Sequence, residues 1–149
     1  MVYSWKPGSY IRTDANVAGA MCAELSANGG LTAKRLLDAN RPEDAPLHSE
    51  FEWDDGIAAE KFRETQARHI INSIEIVREE REPVRAFFNI ERTDSQYHHV
   101  DVIMRQEDSR QKLLMSALAE LKAFERKYAQ LTELAAVFEA IDNFGEESA

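Results

Sequence analysis

The chain has 149 residues, of which 44% are apolar and 30% charged, and its formal net charge is −9. That composition suits one folded domain with a real core and is too apolar for a disordered segment. The acid works against broad attraction to phosphate backbones or anionic bilayers, least so in residues 1–49, where five basic side chains balance five acidic ones.

Along the chain, Pro7 and Gly8 break up the opening residues, which lack the apolar core of a signal peptide. Asp14 is placed to cap a helix running to about Ala27, stopped by Asn28-Gly29-Gly30. Cys22, the only cysteine, lies in an Ala-rich part of that helix and reads as a small buried hydrophobe. With no internal disulfide possible, a reducing, cytoplasmic setting is expected. Thr32 then caps a second short helix from Ala33 to about Asn40, anchored by Leu36 and Leu37, and Arg41 to Pro46 form a loop.

Phe51 and Trp53 precede a third helix, capped by Asp54 or Asp55 and entered through Gly56. Its expected buried line is Ala59, Phe62, Gln66 and Ile70, with Lys61, Glu64 and Arg68 facing water. Ile74 to Val77 reads either as a strand or as a fraying helix end. From Pro83 the period changes to two: Val84, Ala86, Phe88 and Ile90 alternate with Arg85, Phe87 and Asn89. His98, Val100, Val102 and Met104 repeat the alternation, predicting a β-hairpin with a four-residue loop at Arg92-Thr93-Asp94-Ser95.

The last segment carries the longest pattern. Leu114, Ala117, Leu121, Phe124, Tyr128, Leu131, Ala135 and Phe138 recur at spacings of three and four, a heptad stripe without polar interruption. One helix over 107–143 would be roughly 50 Å long, longer than a small body needs to cover its own core. A self-association interface along these eight residues is therefore expected. The tail 144–149 is expected to fray.

The expected fold is thus α+β and predominantly α. It divides into a globular part, 1–106, and the amphipathic helix. The globular part holds an N-terminal helical pair, a middle helix and a small antiparallel sheet.

Signals for chemistry are weak. His98 and His99 would point to opposite faces of a strand, and His99 with Asp101 makes only two ligands. His48, Glu52, Asp54 and Asp55 could gather around Mg²⁺, although the reading of the aspartates as cap and dipole partners of the next helix is favoured. No phosphate-cradling loop and no partnered nucleophile is present, so no enzyme activity, cofactor, bound metal or small-molecule substrate is expected. Residues 14–40 have the proportions of a helix-turn-helix or of an ordinary αα-hairpin; in the first case Arg12, Lys34, Arg35 and Arg41 would meet DNA. An acidic face of Glu50, Glu52, Asp54 and Asp55 would instead suit a basic protein.

Pro46-Leu47-His48, Phe51-Glu52-Trp53-Asp54-Asp55, Ala58-Ala59-Glu60 and Gln66-Ala67-Arg68 carry a resemblance. It continues through Pro83-Val84-Arg85-Ala86 and the terminal Leu121, Tyr128 and Glu133-Leu134. Over residues 30–142 the chain resembles a group of phage and prophage proteins with no assigned activity. The resemblance implies a phage accessory role in the cytoplasm of a bacterial host, and no binding residues. The resulting expectation is a non-enzymatic, self-associating protein that binds a macromolecule, with a DNA-associated or regulatory role. The alternative is an acidic inhibitor of a host nucleic-acid enzyme, of the host-defence or anti-CRISPR type.

Overall fold

The computed structural model describes residues 1–91, 93 and 95–148, and among these it contains six helices and two small antiparallel sheets, an α+β fold dominated by helix. The opening residues, expected to be irregular, form strand β1 (Val2–Trp5). It pairs with β3 (Ile74–Val77), Tyr3 lying opposite Ile76, and β3 pairs in turn with β4 (Val84–Arg85). Ile74–Val77 is therefore strand. The second sheet has the order β2 (Leu31–Thr32), β6 (Gln96–His99), β5 (Phe87–Phe88). Ala86, fully buried, joins the two sheets: its N–H donates to the Ile74 carbonyl and its own carbonyl accepts from Val100.

Helix α1 (Ala15–Ala27) begins where Asp14 accepts hydrogen bonds from the N–H groups of Asn16 and Val17. Gly29 and Gly30 follow it with φ of 103° and 96°, a left-handed conformation that side-chain-bearing residues resist. Thr32 caps α2 (Ala33–Ala39) through the N–H of Arg35. The core lies between these helices, both sheets and α3 (Ile57–Ser73), and includes Leu31, Leu36, Leu37, Leu47, Ile70, Ile71, Ile76 and Phe87. Gly19 is required on α1 because a Cβ there would overlap the Tyr3 ring, which lies directly against the helix backbone.

Several expectations fail, each for a tertiary reason. Asp54 and Asp55 do not cap α3. Gly56 is the capping residue and no side chain bonds the first turn, while the backbone carbonyls of Glu52 and Asp54 are held by Arg63. The buried line of α3 is Arg63, Ala67, Ile70 and Ile71, and Phe62 is 53% exposed. Helix α2 is the main neighbour of α3, with strand β5 beside it, and the buried line is turned about 100° from the position of Phe62.

The β-hairpin forms only over its inner residues, Phe87 pairing antiparallel with His99 and Phe88 with His98. Pairing stops at His99, and Val100–Arg105 is helix α4, capped by His99, whose Nδ1 accepts the Asp101 N–H at 3.1 Å. Ile103, outside the apolar alternation, is the residue this helix buries, whereas Val102 and Met104 stay exposed. Of the four proposed loop residues, Arg92 and Asp94 lie outside the described residues.

The single terminal helix is also overturned. α5 (Glu107–Lys127) ends at Tyr128, a 3-10 turn occupies Thr132–Leu134, and α6 (Ala135–Glu147) folds back on α5. A continuous rod would leave Leu118 and Ile141 without an intramolecular partner; in the hairpin both are buried. The tail expected to fray, 144–149, is helical as far as Glu147, and Ala149 lies outside the described residues.

Candidate interaction surfaces

The α5–α6 hairpin has a charged edge and an apolar edge. Lys122 bridges to Asp142 at 2.7 Å on the first. That contact, with the Glu125 hydrogen bond to the same aspartate, holds the Asp142 carboxyl below and the Lys122 ammonium above their ordinary pKa ranges. Phe124 meets Tyr128 and Phe138 with ring centroids 4.8 and 6.4 Å apart. Gly145 lets α6 sit directly beside Lys122 and Leu118.

Of the eight heptad residues, Leu114, Ala117, Leu121, Phe124, Leu131 and Ala135 are exposed, and Tyr128 and Phe138 are half-buried. Leu114, Leu121, Phe124 and Leu131 each keep 39–46% of their surface in solvent. On α6, Val137, Ala140 and Phe144 add a second exposed row. The sequence reading passed over this row, although its own spacing of three and four was a visible signal.

The four basic residues proposed for DNA do not form a free cluster. Arg35 closes the end of α1: its guanidinium donates to the carbonyls of Leu25 at 3.2 Å, Asn28 at 2.8 Å, and Gly30. Lys34 pairs with Asp38 at 2.7 Å, and Arg41 pairs with Asp38 and Glu60, tying α2 to α3. Those bonds hold the Asp38 and Glu60 carboxyls below the usual carboxylate range. Arg12 is exposed on the segment before α1. The link between α1 and α2 contains a strand paired with β6, rather than the tight turn of a helix-turn-helix.

The acidic residues separate into two groups. Glu50 is structural, its Oε1 accepting from the N–H groups of Arg12 and Thr13 and from the Thr13 hydroxyl. Glu52 turns its Oε1 back to the Asp54 N–H. Asp54 and Asp55 face solvent, the Asp55 side chain being 98% exposed. Beneath them lies Arg63, only 5% exposed, which bonds the Glu52 and Asp54 carbonyls, pairs with Glu60 and stacks 5.0 Å from the Trp53 ring. Sequence reasoning missed Arg63. Its place one residue after Phe62 in an amphipathic helix gave no reason to put a charge inside.

The histidine and cysteine side chains capable of chemistry are engaged in structure. The His48 ring stacks on Trp53 with centroids 4.6 Å apart and its Nδ1 lies 2.9 Å from the Asn40 carbonyl, while Trp53 Nε1 donates to the His48 carbonyl. Burial pushes the Cys22 thiol up to about 12, which keeps it protonated and unreactive. His99 sits between Tyr3 and Phe87, both edge-on to its ring. Its Nε2 is buried without a hydrogen-bond partner, and since Nδ1 accepts a bond, the proton of the neutral ring is on Nε2, against these aromatic side chains.

Among the described residues, no three His, Cys, Asp or Glu side chains converge to hold a metal ion. Nor is any described helix long and apolar enough to cross a membrane. An open cleft of about 700 Å³ runs between Asn89–Glu91 and the side of α5 carrying Lys112, Met115 and Ala119. It lies on the opposite side of α5 from the apolar row, and the Lys112–Glu91 ion pair spans it. Compared with protein-family models, with curated proteins and with solved structures, the chain matches none.

Proposed function

We propose that the chain is a non-enzymatic accessory protein that acts by macromolecular association, with the α5–α6 hairpin as its association element. The observation that carries this reading is the exposed apolar row from Leu114 to Leu131, joined by Val137 and Phe144. Contiguous apolar surface of this kind is rare on a protein that works alone and marks contact with another apolar surface. The likeness to phage and prophage proteins supplies the biological setting, an accessory factor acting inside a bacterial host.

A second surface on the globular part supports an additional contact. Asp54 and Asp55 project from a turn that Arg63 braces through the Asp54 carbonyl and a 3.6 Å contact with the Asp55 carboxylate, an arrangement suited to a basic protein such as a host nucleic-acid enzyme. A DNA-associated role has less behind it, because phosphate would have to displace Arg35 and Arg41 from bonds that hold helices together.

Thiol labelling tests the association reading. The buried Cys22 stays silent, so Leu121→Cys and, as an exposed polar control, Gln130→Cys each report one position. Labelling at position 121 should be strongly slowed relative to 130 in lysate of expressing cells. Equal rates would mean that nothing covers the row, and the reading would fail.

A further inference from the structure

We infer that the hairpin's partner is a second copy of this chain, the two hairpins meeting face to face as a four-helix bundle. This inference rests on the association reading above and names its occupant.

The first argument is area. The single chain exposes 9940 Å². A compact monomer of 17.0 kDa is expected to expose about 7,700 Å². The excess is about 2,200 Å² for each copy. Covering half of it on both copies gives a total interface of about 2,200 Å², within the range of obligate homodimers.

The second argument is arrangement. On α5, Leu114, Ala117, Leu121 and Phe124 fall within an arc of about 80°, at about 100° per residue. The Lys122–Asp142 pair marks the other edge of the hairpin, and the same periodicity turns Val137 and Phe144 of α6 away from it, towards the α5 row. One hairpin thus offers two parallel ridges on one face, half of a four-helix core. A two-fold axis supplies the other half from an identical face and leaves no open end, as closed symmetry requires.

Charge narrows the choice. Between Leu113 and Phe124 the α5 arc carries no ionised side chain, the nearest cations being Arg110 one turn before Leu114 and Lys127 over the Tyr128 ring, so the middle of the row favours an apolar surface over phosphates or headgroups. The charges lie beside it. α5 holds five basic and four acidic residues, whereas α6 holds no basic residue and four acidic ones, so an α5 ridge packed beside a partner's α6 is favoured over α6 beside α6.

Sedimentation equilibrium of the purified full chain, from about 1 to about 100 μM, tests the inference. The expected mass is twice 17.0 kDa. Leu121→Asp combined with Val137→Asp should sediment as a monomer while keeping the cooperative melting of the globular part. Leu121→Ala, which preserves helix propensity, should raise the dimer dissociation constant by at least about tenfold. A wild type that stays monomeric at the highest concentration, a trimer, or a dimer indifferent to both substitutions would overturn the inference. In the monomeric case, protection of Leu121→Cys in lysate would still uphold association with a different partner, whereas its absence would sink both readings.

Discussion

Replacing Arg35 by alanine removes the guanidinium that closes the C-terminus of α1. Three carbonyls lose their donor: Leu25 and Gly30, both partly buried, and the exposed Asn28. Charge-assisted bonds contribute about 1.5–3 kcal/mol each where water is excluded, and much less where it can replace them. Counting about 1 kcal/mol for each of the two sheltered bonds and a few tenths for the exposed one gives a loss of about 2 kcal/mol. For a chain of this size that corresponds to a fall in melting temperature of roughly 5–8 °C.

Lys34→Ala is the matched control. Its partner Asp38 is as exposed as a surface ion pair usually is, so the change should stay within about 0.5 kcal/mol. Arg35→Lys should fall between, since one ammonium cannot span three carbonyls. Thermal melting by circular dichroism reads all three. An unchanged melting temperature for Arg35→Ala would refute the structural role of Arg35 and return it to the pool of residues available for DNA.

Two further outcomes test the packing. Gly19→Ala gains about 1 kcal/mol of helix propensity but drives a methyl group into the Tyr3 ring, and overpacking of this kind costs about 1–3 kcal/mol. A net loss of stability in urea unfolding is expected, and a gain would contradict the close approach of β1 to α1. His99 has its pKa lowered from 6.5, first by burial, with Arg78 and Arg105 adding to the effect and Asp101 opposing it. Its folded pKa is depressed, so the stability tied to its neutral form is complete above 6.5 and declines as the pH falls from there towards the folded value. Unfolding free energy measured at about pH 7.5 and about pH 5.5 should drop for the wild type and drop less for His99→Gln; parallel declines would exclude His99 as the cause.

Local chemistry made much of the fold legible. Asp14, Thr32 and the Gly29-Gly30 pair mark helix ends because capping and left-handed turns depend on a few adjacent atoms. The class, α+β with helix dominant, follows from the same periodicities. The apolar row at Leu114–Phe138 was visible too, as was Cys22 as a buried small residue.

What the row does within the chain was not visible. A turn spanning about one heptad keeps the spacing of three and four in register, so the pattern reads the same for a straight rod and for a hairpin. Only the contacts of Leu118 with the α6 side and of Lys122 with Asp142 decide between them. The same limit explains Val100–Arg105, where alternating apolar residues suggested a strand until the burial of Ile103 and the cap from His99 selected a helix. Arg63, Arg35 and His99 belong to this class as well. Arg35 and Arg63 bond carbonyls that a chain reversal brings back to their helices, and His99 is enclosed by Tyr3 and Phe87 from other strands, approaches that no helical or strand periodicity encodes. Caps, turns and amphipathic faces were thus determined by the sequence alone, through interactions within a turn or two. The tertiary structure decided which faces meet and which stay bare, because that depends on how segments far apart in the chain compete for the same partners.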